Sequence, residues 1–246
     1  MKKIVTSLAV GVCSVGLMAG NAMAVPGAKL QSVLNDITSP YPGISSVNVT
    51  TDYLTEGLDD YWAIQGSGGS LATIIIELAA SANANSFGVY DAANSANFVT
   101  LFAGAATVGA ITSLSIDDTG KVYKDFIYTG VNFAGNNFGY FLTNPTNVGG
   151  TFYSDTSVNG DHFDHMYAYQ GNDSDIIKIG SWSEGIWGSN EYVLGWEDMY
   201  NGGDKDFEDF VVIVESVNPI PEPASMLLFG TGLTGLAGLV ARRKKN

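Results

Sequence analysis

The sequence predicts an all-β protein: an antiparallel, jelly-roll-like β-sandwich with a short N-terminal helix and a C-terminal transmembrane helix. Three observations carry this. From about residue 44 to 217 the apolar residues come in short runs rich in β-branched and aromatic side chains. Clusters of Gly, Asn, Asp and Ser separate those runs. No helical period lies between them, as a parallel α/β fold would require.

Taken in order, the helix comes first. Leu30, Val33, Leu34 and Ile37 are spaced i, i+3, i+4, i+7 and form one apolar face, which Ser39-Pro40-Tyr41-Pro42-Gly43 ends. The expected strands are 44–50, 70–78, 86–90, 97–102, 138–143, 163–169 and 210–217. Gly66-Ser67-Gly68-Gly69 and Asn147-Val148-Gly149-Gly150 read as turns, because no helix pattern follows them to complete a phosphate cradle. The Ala/Asn-rich stretches 81–85 and 91–97 read as loops, and Asn218-Pro219-Ile220-Pro221 as a stiff exit from the domain.

The two ends carry addresses. Lys2-Lys3, the apolar run Ile4 to Ala19 and Ala22-Met23-Ala24 have the order of a secretory signal peptide cleaved after Ala24. The single cysteine, Cys13, falls inside it, so the mature chain is expected to have no disulfide and no thiolate ligand. At the other end stand Pro221-Glu222-Pro223, a sixteen-residue apolar run from Met226 to Ala241, and the basic stop Arg242-Arg243-Lys244-Lys245. Such a run is at the short end for a bilayer core of roughly 30 Å, and its basic flank is retained on the cytoplasmic side. Motif, span and basic end in this order resemble the PEP-CTERM sorting tail. That resemblance implies an exosortase-like transpeptidase and the inner membrane as partners during sorting, with the cell surface or extracellular matrix as destination. The division expected is a signal peptide at 1–24, an exported domain at 25–218 and a sorting tail at 219–246.

Without the two ends, residues 25–218 hold five lysines and no arginine against 24 carboxylates, a net charge of −19. That surface repels nucleic acid and anionic lipid and favours cations. The acids concentrate in Trp196-Glu197-Asp198-Met199-Tyr200-Asn201-Gly202-Gly203-Asp204-Lys205-Asp206-Phe207-Glu208-Asp209. A glycine-turned loop that brings hard oxygen ligands together suits calcium, which takes six to eight of them at about 2.3–2.6 Å. An EF-hand is excluded, because the central glycine and flanking helices are missing. Gly195-x-Glu197-Asp198 followed by Gly202-Gly203-Asp204-x-Asp206-Phe207-x-Asp209 and an apolar strand resembles the C-terminal signature of the DUF4114 family, closest over 192–215. Phe138-Gly139-Tyr140-Phe141-Leu142 and Asp164-His165 are compatible with it. The resemblance implies a secreted, calcium-associated surface domain with Glu197, Asp198, Asp204, Asp206 and Asp209 as ion ligands. Trp196 supplies the aromatic or aliphatic residue usual before Glu197 in that family, whereas Asp209 follows Glu208 where Asn is commoner.

The only histidines, His162 and His165, are too few for a zinc site without cysteine, and in a strand they would face opposite sides. Asp164 or His165 is expected either to stand next to the ligands of the acidic loop or simply to line a strand end. Carboxylates are plentiful, but nothing in the sequence marks a pair across a sugar cleft or a Ser-His-Asp arrangement. The expectation is therefore a non-catalytic, calcium-stabilised surface or matrix protein. The alternative is a carbohydrate-binding module in which Trp182, Trp187, Trp196 and the tyrosines of 182–200, with Trp62, stack on extracellular polysaccharide, although the same residues also read as ordinary sandwich core and turn anchors.

Overall fold

The computed structural model describes residues 26–40, 42–65, 73–80, 85–104, 109–146, 150–180 and 183–221, with the backbone alone for 73–80. Cys13, Ala22 and Ala24 of the expected signal peptide lie outside the described residues, as do Glu222, Pro223 and the apolar tail. Gly66–Gly69, the turn residues 147–149, the loop residues 81–84 and Trp182 lie outside them too. Among the described residues no helix is long and apolar enough to cross a membrane.

Helix α1 (Ala28–Ile37) precedes β1 (Tyr61–Ile64), β2 (Thr73–Ala80), β3 (Ser86–Asp91), β4 (Asn94–Phe102) and β5 (Ile111–Ile116). Then come β6 (Lys121–Lys124), β7 (Ile127–Asn132), β8 (Asn137–Thr143), β9 (Thr151–Tyr153) and β10 (Met166–Gln170). The chain closes with β11 (Ile176–Ile177), β12 (Gly185–Ile186), β13 (Glu191–Trp196), β14 (Phe210–Glu215) and β15 (Val217–Ile220). One sheet has the order β15-β1-β8-β3-β4, with β9 also paired to β8. The other runs β10-β13-β14-β2-β5-β6-β7, and β11 and β12 form a small ribbon. All pairings are antiparallel.

Strand parity explains the packing. Met166 and Ala168 of β10, Tyr192, Leu194 and Trp196 of β13, and Phe210, Val212 and Val214 of β14 face the other sheet. There they meet Trp62, Phe87, Val89, Phe138, Tyr140 and Leu142. The opposite parity of the same strands, Tyr167, Tyr169, Val193, Val211 and Ile213, is buried under α1 through Leu30, Leu34 and Ile37. These strands are covered on both faces, which is why they read as continuous apolar runs rather than alternating ones. Gly195 permits the helix to dock: a Cβ there would stand 2.8 Å from both Leu30 Cδ2 and Phe207 O.

The helix forms as its period predicts, with Leu30, Leu34 and Ile37 buried. The strand expected at 44–50 does not form. Its amides are taken instead by side chains, two of them by α1: Ser45 N bonds Asn35 Oδ1 at 2.9 Å and Val49 N bonds Gln31 Oε1 at 3.0 Å, while Ser46 N turns to Asp175 and Asn48 N to Asp52. Val47 and Val49 alternate because they pack against the helix, without pairing to a neighbouring strand. Residues 163–165 are likewise outside any strand, since Asp161 turns the chain by accepting from Phe163 N at 3.2 Å. Asn94–Asn97, expected as loop, opens β4. Residues 218–220 of the expected exit 218–221 belong to the edge strand β15, where a proline without an N–H is tolerated.

Candidate functional site

The acidic loop joins β13 to β14 at one end of the sandwich. Its backbone is unusually contorted: Asn201, Gly202, Gly203, Lys205 and Phe207 all have positive φ. Gly202 needs its missing side chain, because a Cβ there would meet the Phe163 ring at 2.2 Å. Gly203 sits at φ 43° and ψ −122°, a region L side chains avoid, and its Cβ position is 3.1 Å from Glu197 Oε2. Phe207 anchors the loop. It is fully buried under α1, edge-on to Tyr167 with ring centroids 4.6 Å apart.

The structure brings together three of the five expected ligands. Carboxylate oxygens of Glu197, Asp204 and Asp209 lie within 4.8 Å of one another. Glu197 has no exposed surface. Its Oε1 accepts from Phe207 N at 2.9 Å, whereas Oε2 is buried with no hydrogen-bond partner. Asp209 Oδ2 accepts from Asp198 N at 3.1 Å. The Asp204 side chain is 67% exposed and leaves the cluster open to solvent on that side. Burial, the repulsion of Asp209, and then Asp206 and Asp204 push the Glu197 carboxyl up to about 8. Burial and the charges of Asp198, Asp206 and Asp204 push Asp209 up to about 6.

The other two acids turn elsewhere. Asp206 forms an ion pair with Lys29 of α1, which also reaches Glu208 at 3.3 Å and Asp204 at 3.6 Å. Asp206 and Glu208 hold that ammonium charged well above its usual range. Asp198 accepts from Asn85 Nδ2 at 2.7 Å through its carboxylate and from Asn144 Nδ2 at 3.1 Å through its carbonyl. Asn85 and Asn144 flank β3 and β8, so Asp198 ties the ends of the two sheets together.

His165 supports the loop from behind. The buried ring stacks on Phe152 with centroids 3.8 Å apart. Its Nδ1 meets the Glu197 carbonyl at 2.9 Å, and its Nε2 meets Asp161 Oδ2 at 3.0 Å. Burial lowers its pKa, while Asp161 and the carbonyl raise it; a neutral ring donates to one acceptor and an imidazolium to both. The same Asp161 oxygen accepts from Asn201 N at 2.7 Å, so Asp161 and His165 span both arms of the loop. His162 is exposed in a turn with φ 54° and does not converge with His165. Asp164 accepts from Met166 N at 3.1 Å and faces Asp59 and Glu56, away from the acidic loop's ligands. The sequence reading missed Asp161, Asn85, Asn144 and Lys29. Only Asp161 carried a signal, the Asp-x-Phe turn before His165.

The aromatic alternative keeps one of its described residues in segment 182–200 at the surface. Trp62, Trp187 and Trp196 are fully buried and Tyr192 is 2% exposed, whereas Tyr200 is 52% exposed. Their parity places Tyr192 and Trp196 in the sandwich core.

Fold and site together define an all-β domain with a hairpin loop shaped around clustered carboxylates. Residues 133–217 match the family model described as a domain of unknown function, DUF4114, and residues 219–245 match that of the PEP-CTERM protein-sorting motif. The chain carries a DUF4114 region followed by a PEP-CTERM tail, the address for export and sorting through an exosortase system. The DUF4114 match contains every ligand candidate and Asp161, but not Lys29 or Asn85. No curated protein and no solved structure matches the chain.

Proposed function

We propose that the exported domain is a non-catalytic surface or matrix module whose acidic loop binds a divalent cation, calcium, through Glu197, Asp204 and Asp209. The observation that carries this reading is Glu197 Oε2: a carboxylate oxygen with no partner and no solvent, on a side chain that clusters with two further carboxylates. An orphaned buried charge is costly, and a cation on the open side of the cluster supplies what is missing. Oxygen-only donors of mixed geometry suit calcium better than magnesium, which holds its waters and demands a compact octahedron. Asp198 and Asp206 then belong to the supporting frame, one joining the sheets and one fastening α1 through Lys29.

A raised carboxyl also suits a general acid. A general acid, however, must reach within about 3.2 Å of its substrate atom. Glu197 has no surface from which to do so. The reading is tested by calcium titration calorimetry on the wild type and on Glu197→Gln. A single site that the variant abolishes supports it, and equal heats in both proteins contradict it.

A further inference from the structure

We propose that the outer face of the six-stranded sheet carries a binding groove for a neutral, pyranose-based polysaccharide, formed by Phe98, Phe141 and Tyr153 with the hydroxyls of Ser95, Thr143 and Thr151. The residues meet through strand register. Phe141 of β8 pairs with Tyr153 of β9, and Thr143 with Thr151. On the other side Gly88 of β3 pairs with Phe141. The absence of a side chain at Gly88 lets the Phe141 ring lie down across the sheet, since a Cβ would stand 2.7 Å from Phe141 Cε1. Phe98 of β4 then rises edge-on to that ring, with centroids 5.4 Å apart and planes at 77°. Tyr153 is held upright by Tyr90, edge-on at 5.1 Å. Phe141 is itself only 4% exposed and forms the packed base, so the result is a shallow groove of about 80 Å³ whose accessible aromatic surface is the protruding Phe98 ring with half-buried Tyr153 beside it.

Three properties of the groove specify the occupant. Phe98 is 52% exposed although it sits in the middle of a strand, so apolar surface is left open where burial would stabilise the fold. Thr143 Oγ1 and Thr151 Oγ1 are 3.0 Å apart and exposed; once one donates to the other, a donor and several lone pairs still point outward. No charged residue lines the groove, in a domain whose net charge is −19. A ligand with a flat C–H face, an edge of hydroxyls and no charge matches all three, and a pyranose of a neutral polysaccharide has that chemistry. An anionic polymer would meet repulsion from the rest of the surface. The groove lies outside the Trp-rich segment 182–200 and uses no carboxylate, so it does not depend on the cation reading.

The test is affinity electrophoresis of the purified protein, with calcium present, through gels containing laminarin, hydroxyethylcellulose, dextran, yeast mannan or alginate. At least one neutral polymer is expected to retard the wild type. Phe98→Ala is expected to weaken that binding about tenfold or more, the scale set by burying one aromatic side chain. Thr151→Val should weaken it less. Phe126→Ala, which removes a 79% exposed aromatic at the β6–β7 turn, should leave it unchanged. Glu197→Gln, which disables the cation site, should also keep full retardation, so that the two readings fail separately. Retardation by no neutral polymer, by alginate alone, or equally in Phe98→Ala would overturn the groove. Loss of retardation in Glu197→Gln would overturn it as well, by placing the sugar on the cation.

Discussion

The amide of Phe207 donates to Glu197 Oε1 at 2.9 Å, and this one bond aims the other carboxylate oxygen, Oε2, into the acidic loop without a partner. Phe207 is locked by its buried ring under α1, so the direction of Glu197 is set by the helix-side core and not by the acids around it. A loop that merely displayed acids to water would have no reason to bury one of them completely.

Replacing Glu197 by Gln keeps an acceptor for Phe207 N and removes the buried charge. In chelator at pH 8 the variant is expected to melt higher than the wild type, with roughly 2–4 °C for each kcal/mol of repulsion removed. In calcium the order should reverse. Differential scanning calorimetry under the two conditions reads both signs.

The pH dependence of the ion-free protein follows from the raised carboxyls. Glu197 at about 8 and Asp209 at about 6 stand above the values of about 4.3 and 3.9 for unfolded chains. Asp59 and Asp164 are raised too, by burial first and then by their acidic neighbours. Between pH 8 and about 4.5 the folded state therefore holds protons that the unfolded state has released. Stability without calcium should rise as pH falls through that window, opposite to the usual effect of paired carboxylates. Saturating calcium should flatten the upper part of the slope, because the ion displaces those protons. Chemical denaturation across the range, with and without chelator, measures this.

Asp161 should matter beyond its own hydrogen bonds. Asp161→Ala frees His165 Nε2 and Asn201 N together; the buried imidazole nitrogen left unpaired costs about 1–3 kcal/mol, while the exposed Asn201 amide turns to water. Calcium affinity should fall with stability, since both arms of the loop lose a fixed point. Asp164→Ala, on the side of Asp59 and Glu56, should leave the affinity unchanged in the same calorimetric titration.

Gly195→Ala tests how the loop is coupled to the helix. The added methyl would meet Leu30 Cδ2 and Phe207 O, both at 2.8 Å, and overpacking of that kind costs about 1–3 kcal/mol. Because Phe207 aims Glu197, the calcium-induced rise in melting temperature should shrink as well.

Much of this was legible from local pattern. The phase of α1 and the double burial of β14 follow from Leu30, Leu34, Ile37 and from the run Phe210–Val214. The nearness of Glu197 to Asp204 and Asp209 follows from Gly202-Gly203 reversing the chain. Which acids converge was not legible, because the choice is made at a distance. Lys29 draws Asp206 away, and Asn85 and Asn144 hold Asp198 against the sheet ends. Val47 and Val49 alternated like a strand because helix side chains satisfied their backbone. Trp196 looked like a ligand platform, but it shares its parity with Leu194 and belongs to the core.

The central claim is that the acidic loop exists to hold a cation, and the melting temperature at pH 8 in calcium against chelator tests it most directly. At a hundredfold excess over Kd a ligand that binds only the folded state adds about 2.7 kcal/mol. The expected result is a rise of roughly 5–10 °C that Glu197→Gln and Asp209→Asn abolish and that magnesium reproduces poorly. Identical melting temperatures in calcium and in chelator would contradict it.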